Sequence, residues 1–157
     1  MTKKISDSKV EWYKVVQQED INPAGNLFGG RLLQWIDEVA GIAAIRHSGL
    51  LVTTAAIDKL QFKKSAKLGD IIVIEARVTY VGNSSIEVRV DVYREDPTDG
   101  KRYPINRAFF TEVCIDEEGR PTKCPFGLEL VNENERAEYE GARKRIENRM
   151  LRRLEGF

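Results

Sequence analysis

A carboxylate set inside an apolar run is the first residue of this chain that invites a chemical reading. Asp37 follows Leu32-Leu33-Gln34-Trp35-Ile36 and precedes Glu38-Val39-Ala40, and burying its charge costs free energy unless it meets water or a partner. Two readings are open. Gln34, Asp37, Glu38 and Gly41 form the one solvated stripe of a helix, or Asp37 stands at the mouth of a cleft, where partial desolvation raises its basicity and suits a general base or nucleophile. Glu38 competes for that role. Upstream, Asn22-Pro23-Ala24-Gly25 fits a type I turn with Asn first, Pro second and Gly fourth, and turn chemistry alone accounts for it. Gly29-Gly30 stand directly before Arg31. Glycines at a helix start let a ligand approach N–H groups that lack intrahelical partners, and such donors polarise a carbonyl as an oxyanion hole. A tight loop-to-helix entry explains the same pair.

Other reactive side chains fit structural roles. His47 falls in the last helical turn, where an imidazole suits the dipole. Cys114 reads as a buried strand residue and Cys124 as a loop thiol, with no upstream catalytic histidine for either. Ser84-Ser85 lie in a turn with no G-x-S-x-G around them, so a serine triad is unsupported.

These residues need elements to hold them. Val10 to Gln18 is rich in β-branched and aromatic residues and predicts a strand, followed by a glycine-rich loop over 21–30. From Arg31 to His47 the spacing of Leu32, Leu33, Ile36, Val39, Ala40 and Ala43 predicts a helix, which Trp35, Ile42 and Ala44 make apolar nearly all round; Gly49 ends it. The period then changes to two. Val52 to Phe62, Ile71 to Val81, Ile86 to Tyr93 and Arg107 to Asp116 predict four strands. Short turns at Leu68-Gly69-Asp70 and Val81-Gly82-Asn83-Ser84 make consecutive strands antiparallel neighbours. Asn132 to Leu154 predicts a peripheral helix, acidic early and basic late, with a narrow apolar stripe. A helix apolar almost all round needs cover, which a curved antiparallel sheet supplies.

The 157 residues make one domain, with a core over about 10–125 and the charged helix over about 132–155. Twenty-five basic residues balance 25 acidic ones, which removes the global field expected of a dedicated nucleic-acid binder. Two cysteines and one histidine are too few for a disulfide scaffold and make a metal cluster improbable. No apolar run follows the N-terminal lysines, and no stretch reaches the ~18 apolar residues of a membrane span. An intracellular, cytoplasmic protein without membrane insertion is the expectation.

Taken together, Asn22 through Ala40 resembles the signature of hotdog-fold acyl-CoA thioesterases, in the branch of bacterial YciA-type enzymes and cytosolic long-chain acyl-CoA hydrolases. The similarity continues through Val52 to Asp58, Leu68-Gly69-Asp70 and Val81 to Ser85. The resemblance implies an α+β hotdog fold, a helix enclosed by an antiparallel sheet. It implies a dimer whose sheets join, often three such dimers in a hexamer. Thioester hydrolysis at the dimer interface would use Asn22 of one subunit and Asp37 of the other, with Thr54 supporting the carboxylate. No cofactor is implied, since coenzyme A is part of substrate and product. Asn83 departs from the arginine that many relatives carry in the turn with Ser84 and Ser85, which leaves the hold on the CoA phosphates open there. Arg149, Arg152 and Arg153 are the candidate substitute, or belong to a solvated face.

Acyl-CoA plus water would then give a carboxylic acid and CoA. The carbonyl would meet the N–H groups near Gly29 and Gly30, while Asp37 activates water or attacks directly to form a mixed anhydride. Two other classes stay in view: a non-catalytic acyl-CoA sensor or regulatory oligomer, and a purely structural oligomer. The ~9 residues before the first strand are too few for the DNA-binding segment that such sensors add.

Overall fold

The computed structural model describes residues 1–157. In chain order its elements are β1 (Thr2–Lys4), α1 (Ile5–Ser8), β2 (Val10–Val15), α2 (Gly29–Ser48), β3 (Val52–Asp58), β4 (Ile71–Val81), β5 (Ser85–Glu95), β6 (Arg102–Cys114), β7 (Gly127–Glu129) and α3 (Glu133–Glu155). Five strands form one antiparallel sheet in the order β2-β4-β5-β6-β3.

The sheet wraps α2 as its pattern requires. Ile72, Ile74, Ala76 and Val78 of β4 and Ile86, Val88, Val90 and Val92 of β5 point inward and are fully buried, as are Ile36, Ala40, Ala43 and Ala44 of α2. Each such Ile or Val contributes about 1.5–3 kcal/mol by leaving water. Helix α2 stops at Gly49, which takes φ 72° and donates its N–H to Ile45 O, a left-handed cap open to glycine at little cost.

The opposite face of the sheet is also covered, because α3 lies across it. Arg77 and Arg89 both bond to Glu138, Arg145 binds Glu87 at 2.7 Å, and Arg149 binds Asp58 at 2.9 Å. Tyr80 and Tyr139 stack with centroids 5.0 Å apart. The narrow stripe of α3 is thus only partly used: Ala142 is buried, while Met150, Leu151 and Leu154 stay exposed.

Several boundaries differ from those expected. β2 ends at Val15, because Gln18–Asp20 forms a 3-10 turn in which Asp20 Oδ2 accepts from Gln17 N. β3 ends at Asp58, where Lys59 turns to φ 61°. β6 begins earlier, at Arg102. The Leu68-Gly69-Asp70 turn is not a hairpin between neighbours: β3 pairs with β6, and β4 pairs with β2. Gly69 N donates to Val16 O and Val16 N to Asp70 O, both at 2.9 Å, so the turn is tied to the end of β2. Residues 59–70 carry the chain from the β3 edge across to β4, beside the opposite edge strand β2. β1 and β7, too short for any periodicity, pair in parallel as a separate ribbon.

Candidate active site

Asp37 does not stand on a solvated stripe alone. Thr54 Oγ1 donates to its Oδ1 at 2.7 Å, tying the middle of α2 to β3. The same hydroxyl lies 3.1 and 3.2 Å from Glu112 Oε1 and Oε2. Thr54 and Glu112 are direct partners in the β3–β6 ladder, and the register slips just after Thr54, at Ala55. A bulge of this kind re-aims a side chain beside it. Glu112 is 1% exposed and Asp37 half-buried, and burial pushes the Glu112 carboxyl up to about 7. Glu38 lies on the exposed side of α2, bonded to Gln34. The sequence reading missed Glu112. Its signal was present in the alternation Ala108, Phe110, Glu112, Cys114, which places a carboxylate on the inward face of β6.

Asn22 combines turn chemistry with an open function. Its backbone O accepts from Gly25 N at 2.9 Å, closing the expected turn, and its Oδ1 accepts from Ala24 N and Asn26 N. The carbonyl half of the amide is therefore committed to the loop, while Nδ2 keeps two donors without a partner in the chain. Asp20 anchors this loop, pairing with Arg31 on the first turn of α2 at 3.3 Å and accepting Phe28 N at its backbone O. The N–H groups of Gly29 and Gly30 have no acceptor in the chain, as the first residues of a helix require. A methyl added at Gly30 would lie 2.6 Å from Phe28 Cε1. Asn22, Gly29, Leu32, Phe62 and Ile105 line a cavity of about 210 Å³.

Asp37 is not on that cavity, and no hydrogen bond links it to Asn22. Eight residues of α2, about 12 Å of helix, separate Asp37 from Gly29 on that cavity. Near Asp37 the outer edge of β3 has no strand beside it, and Thr53, Thr54 and Ala55 are exposed.

The other candidates are placed as follows. Asn83 is exposed, and its backbone O accepts Cys124 N; Ser84 O accepts Cys114 N, and Ser85 O accepts Gly82 N. Arg149 and Arg152 both bind Asp58, and Arg153 is exposed. A second cavity, of about 470 Å³, is lined by Lys59, Lys63, Asn106 and Arg107. His47 is fully buried with Nε2 3.3 Å from Phe126 O. Cys114 and Cys124 are both buried, their sulfurs in contact. No helix is long and apolar enough to cross a membrane.

Comparison with known proteins agrees with this architecture. Residues 24–101 match the model of the thioesterase superfamily, a stretch that includes Asp37 and Thr54. The acyl-CoA thioester hydrolase YkhA of Bacillus subtilis is 37% identical over 79% of this chain and 72% of its own length. An acyl-CoA hydrolase of Staphylococcus aureus, solved with butyryl coenzyme A, coenzyme A and coenzyme A disulfide, superposes with a TM-score of 0.91 at 37% identity, over 99% of this chain and 94% of that one. A hexameric acyl-CoA thioesterase in its apo form gives 0.90 at 37% identity, over 96% of each chain. The chain spans only 34% of the rat cytosolic acyl coenzyme A thioester hydrolase, with which it is 35% identical. Likeness that runs through sequence and fold alike from end to end settles the family: this chain belongs to the thioesterase superfamily, among the hotdog-fold acyl-CoA thioester hydrolases.

Proposed function

We propose that the protein hydrolyses acyl-CoA thioesters in a site built from two copies of the chain, Asp37 coming from one and Asn22 with the Gly29 and Gly30 N–H groups from the other. The observation that carries this reading is the separation of the two halves. One chain holds a carboxylate with one oxygen fixed by Thr54, and elsewhere a cavity rimmed by unused N–H donors. Pairing two β3 edges would continue the sheet and bring a second chain beside Asp37. The hexameric relative supports an assembly of several copies. Alanine variants of an asparagine, an aspartate and a threonine of the S. aureus hydrolase have been solved, and these three residues stand at the same intervals as Asn22, Asp37 and Thr54.

In this reading the thioester carbonyl takes hydrogen bonds from the helix-start N–H groups, whose donors strengthen as the oxygen becomes anionic. Asp37 takes a proton from water, the hydroxide adds to the acyl carbon, and the C–S bond breaks. The proton passes to the departing thiolate, giving a carboxylic acid and CoA. Asn22 Nδ2 orients the water or the carbonyl. The cationic rim of Lys59, Lys63 and Arg107 suits the phosphates of CoA, although Arg107 is paired with Asp91 at 2.6 Å; Asn83 and Arg153 are exposed outside that lining, and Arg149 and Arg152 would first have to leave Asp58. The cytosolic relatives support action in the cytoplasm.

A steady-state assay over a panel of acyl-CoAs, following free thiol, tests the reading. Turnover is expected, and D37N, nearly isosteric but unable to accept the proton, should lower kcat about 10²–10⁴-fold without unfolding. E38Q is the control and should match wild type. Saturable binding without turnover would instead identify a sensor, and neither binding nor turnover a structural oligomer.

A further inference from the structure

The Thr54 hydroxyl carries one proton and lies within hydrogen-bond distance of two carboxyl groups, 2.7 Å from Asp37 Oδ1 and 3.1 and 3.2 Å from the oxygens of Glu112. One proton serves only one of them. The shorter contact assigns it to Asp37, and the approach of a second oxygen is attractive only if that group brings its own proton. Burial decides the matter: Glu112 is enclosed and Asp37 half-exposed, and two carboxylates on one hydroxyl do not both hold a charge cheaply. We propose that Glu112 is a positioning residue of the active site, a neutral carboxylic acid that donates to Thr54 Oγ1 and so commits the Thr54 proton to Asp37 Oδ1. The relay runs from Glu112 O–H to Thr54 O–H to the Asp37 carboxylate. It leaves Asp37 Oδ2 free to take a proton from water. The inference rests on the hydrolase reading above and adds to it a residue beyond the stretch that matches the family model.

The surroundings agree. Asp37 of α2 is the one charged group facing Glu112; β3 offers only the Thr54 hydroxyl, and β5 sets apolar Ile86 opposite in the ladder. No cation from any packed element compensates it. Burial first, and then the Asp37 charge, raise the carboxyl to about 7; a Thr54 hydroxyl turned toward Glu112 would lower it, but that proton is committed to Asp37. Above that pH both neighbours of Thr54 are anions competing for one proton, and Asp37 loses its fixed orientation.

The test is kcat and KM from about pH 5 to 9 for wild type, E112Q and E112A, with infrared spectra of wild type and E112Q. Glutamine keeps an N–H donor for Thr54 and has nothing to titrate. E112Q should retain the greater part of kcat at pH 6 and lack the decline that wild type shows as the pH rises through about 7. E112A offers no donor, and its kcat should fall about tenfold or more at every pH with KM little changed. Wild type should show the C=O stretch of a buried carboxylic acid at pH 6, absent from E112Q. Wild-type kcat in E112A, or E112Q as impaired as E112A, overturns the inference. If E112A does not fold, the E112Q profile and the infrared band decide. A protein that shows the band but turns over no acyl-CoA keeps the relay and refutes the hydrolase reading; turnover without the band does the reverse.

Discussion

Holding Glu112 away from water with no cation beside it ties the stability of the fold to pH. Its folded value of about 7 lies above the ordinary 4.5. Its contribution is therefore fully present below pH 4.5 and is lost as the pH rises through about 7, a change of about 3 kcal/mol from this one group. E112Q should gain on wild type by that amount between pH 4.5 and pH 8, measured by urea unfolding at the two pH values. An equal gap at both would mean that Glu112 titrates alike in folded and unfolded chains. His47 acts from the other side: burial lowers its imidazole below the ordinary 6.5, so its stability is present above that value and is lost as the pH falls below it. At this scale the chain was partly legible. Asp37 stood out because a carboxylate in an apolar helix is a local anomaly, whereas an asparagine heading a turn is ordinary and Asn22 took its catalytic role only from the family resemblance. Thr54 came only from the family resemblance, since a threonine in a strand is ordinary. The alternation of β6 already turned Glu112 inward, but its contact with Thr54 needed the register of β3 against β6, which pairs residues 58 positions apart.

Helix α3 is fastened to the sheet by polar side chains rather than by its apolar stripe. Glu138 receives both Arg77 and Arg89, at 2.5 and 2.7 Å, and the three are largely shielded. Burial alone would raise the Glu138 carboxyl, but Arg77 first and then Arg89 hold it below the ordinary 4.5. Its contribution is present above pH 4.5 and is lost as the pH falls through the lowered value. E138A should cost about 1–3 kcal/mol at pH 7, because the half-buried Arg77 and Arg89 lose the carboxylate that α3 supplies and keep only Asp91, and the loss should shrink in acid. Hydrogen exchange should show α3 amides losing protection before those of β4 and β5; unchanged protection in α3 would sink the idea. The polarity of α3, acidic first and basic last, was legible because it answers the helix dipole. Which charges it meets was not, because Glu87, Arg89 and Asp91 face α3 only once β5 is twisted into place. β4 and β5 were read nearly to their ends and β6 without its first five residues, whereas β3 was assigned the wrong neighbour. A short turn after it suggested a hairpin, and only the hydrogen bonds of that turn to β2 reveal the crossing.

For the whole molecule, the separation of Asn22 from Asp37 predicts that activity belongs to the assembly. N22A and D37A, each inactive alone, should recover about a quarter of wild-type activity when refolded together, because half of randomly paired dimers are mixed and each mixed dimer holds one intact site of two. No recovery in verified mixed dimers would place both residues in one chain's site. An oligomer is what the family resemblance implies, and the unpaired edge of β3 leaves room for a second chain. The order in which the cover of α2 is made has a consequence during synthesis. Only β2 and the short N-terminal elements precede α2, and β3 is held in the sheet by β6, which ends at Cys114. Ile36, Ala40, Ala43 and Ala44 leave the ribosome long before the strands that enclose them, and pairings between distant segments form slowly. The most apolar helix of the protein thus stays incompletely covered while residues 49–114 are made, and the half-made chain is the species most exposed to aggregation and most in need of a chaperone.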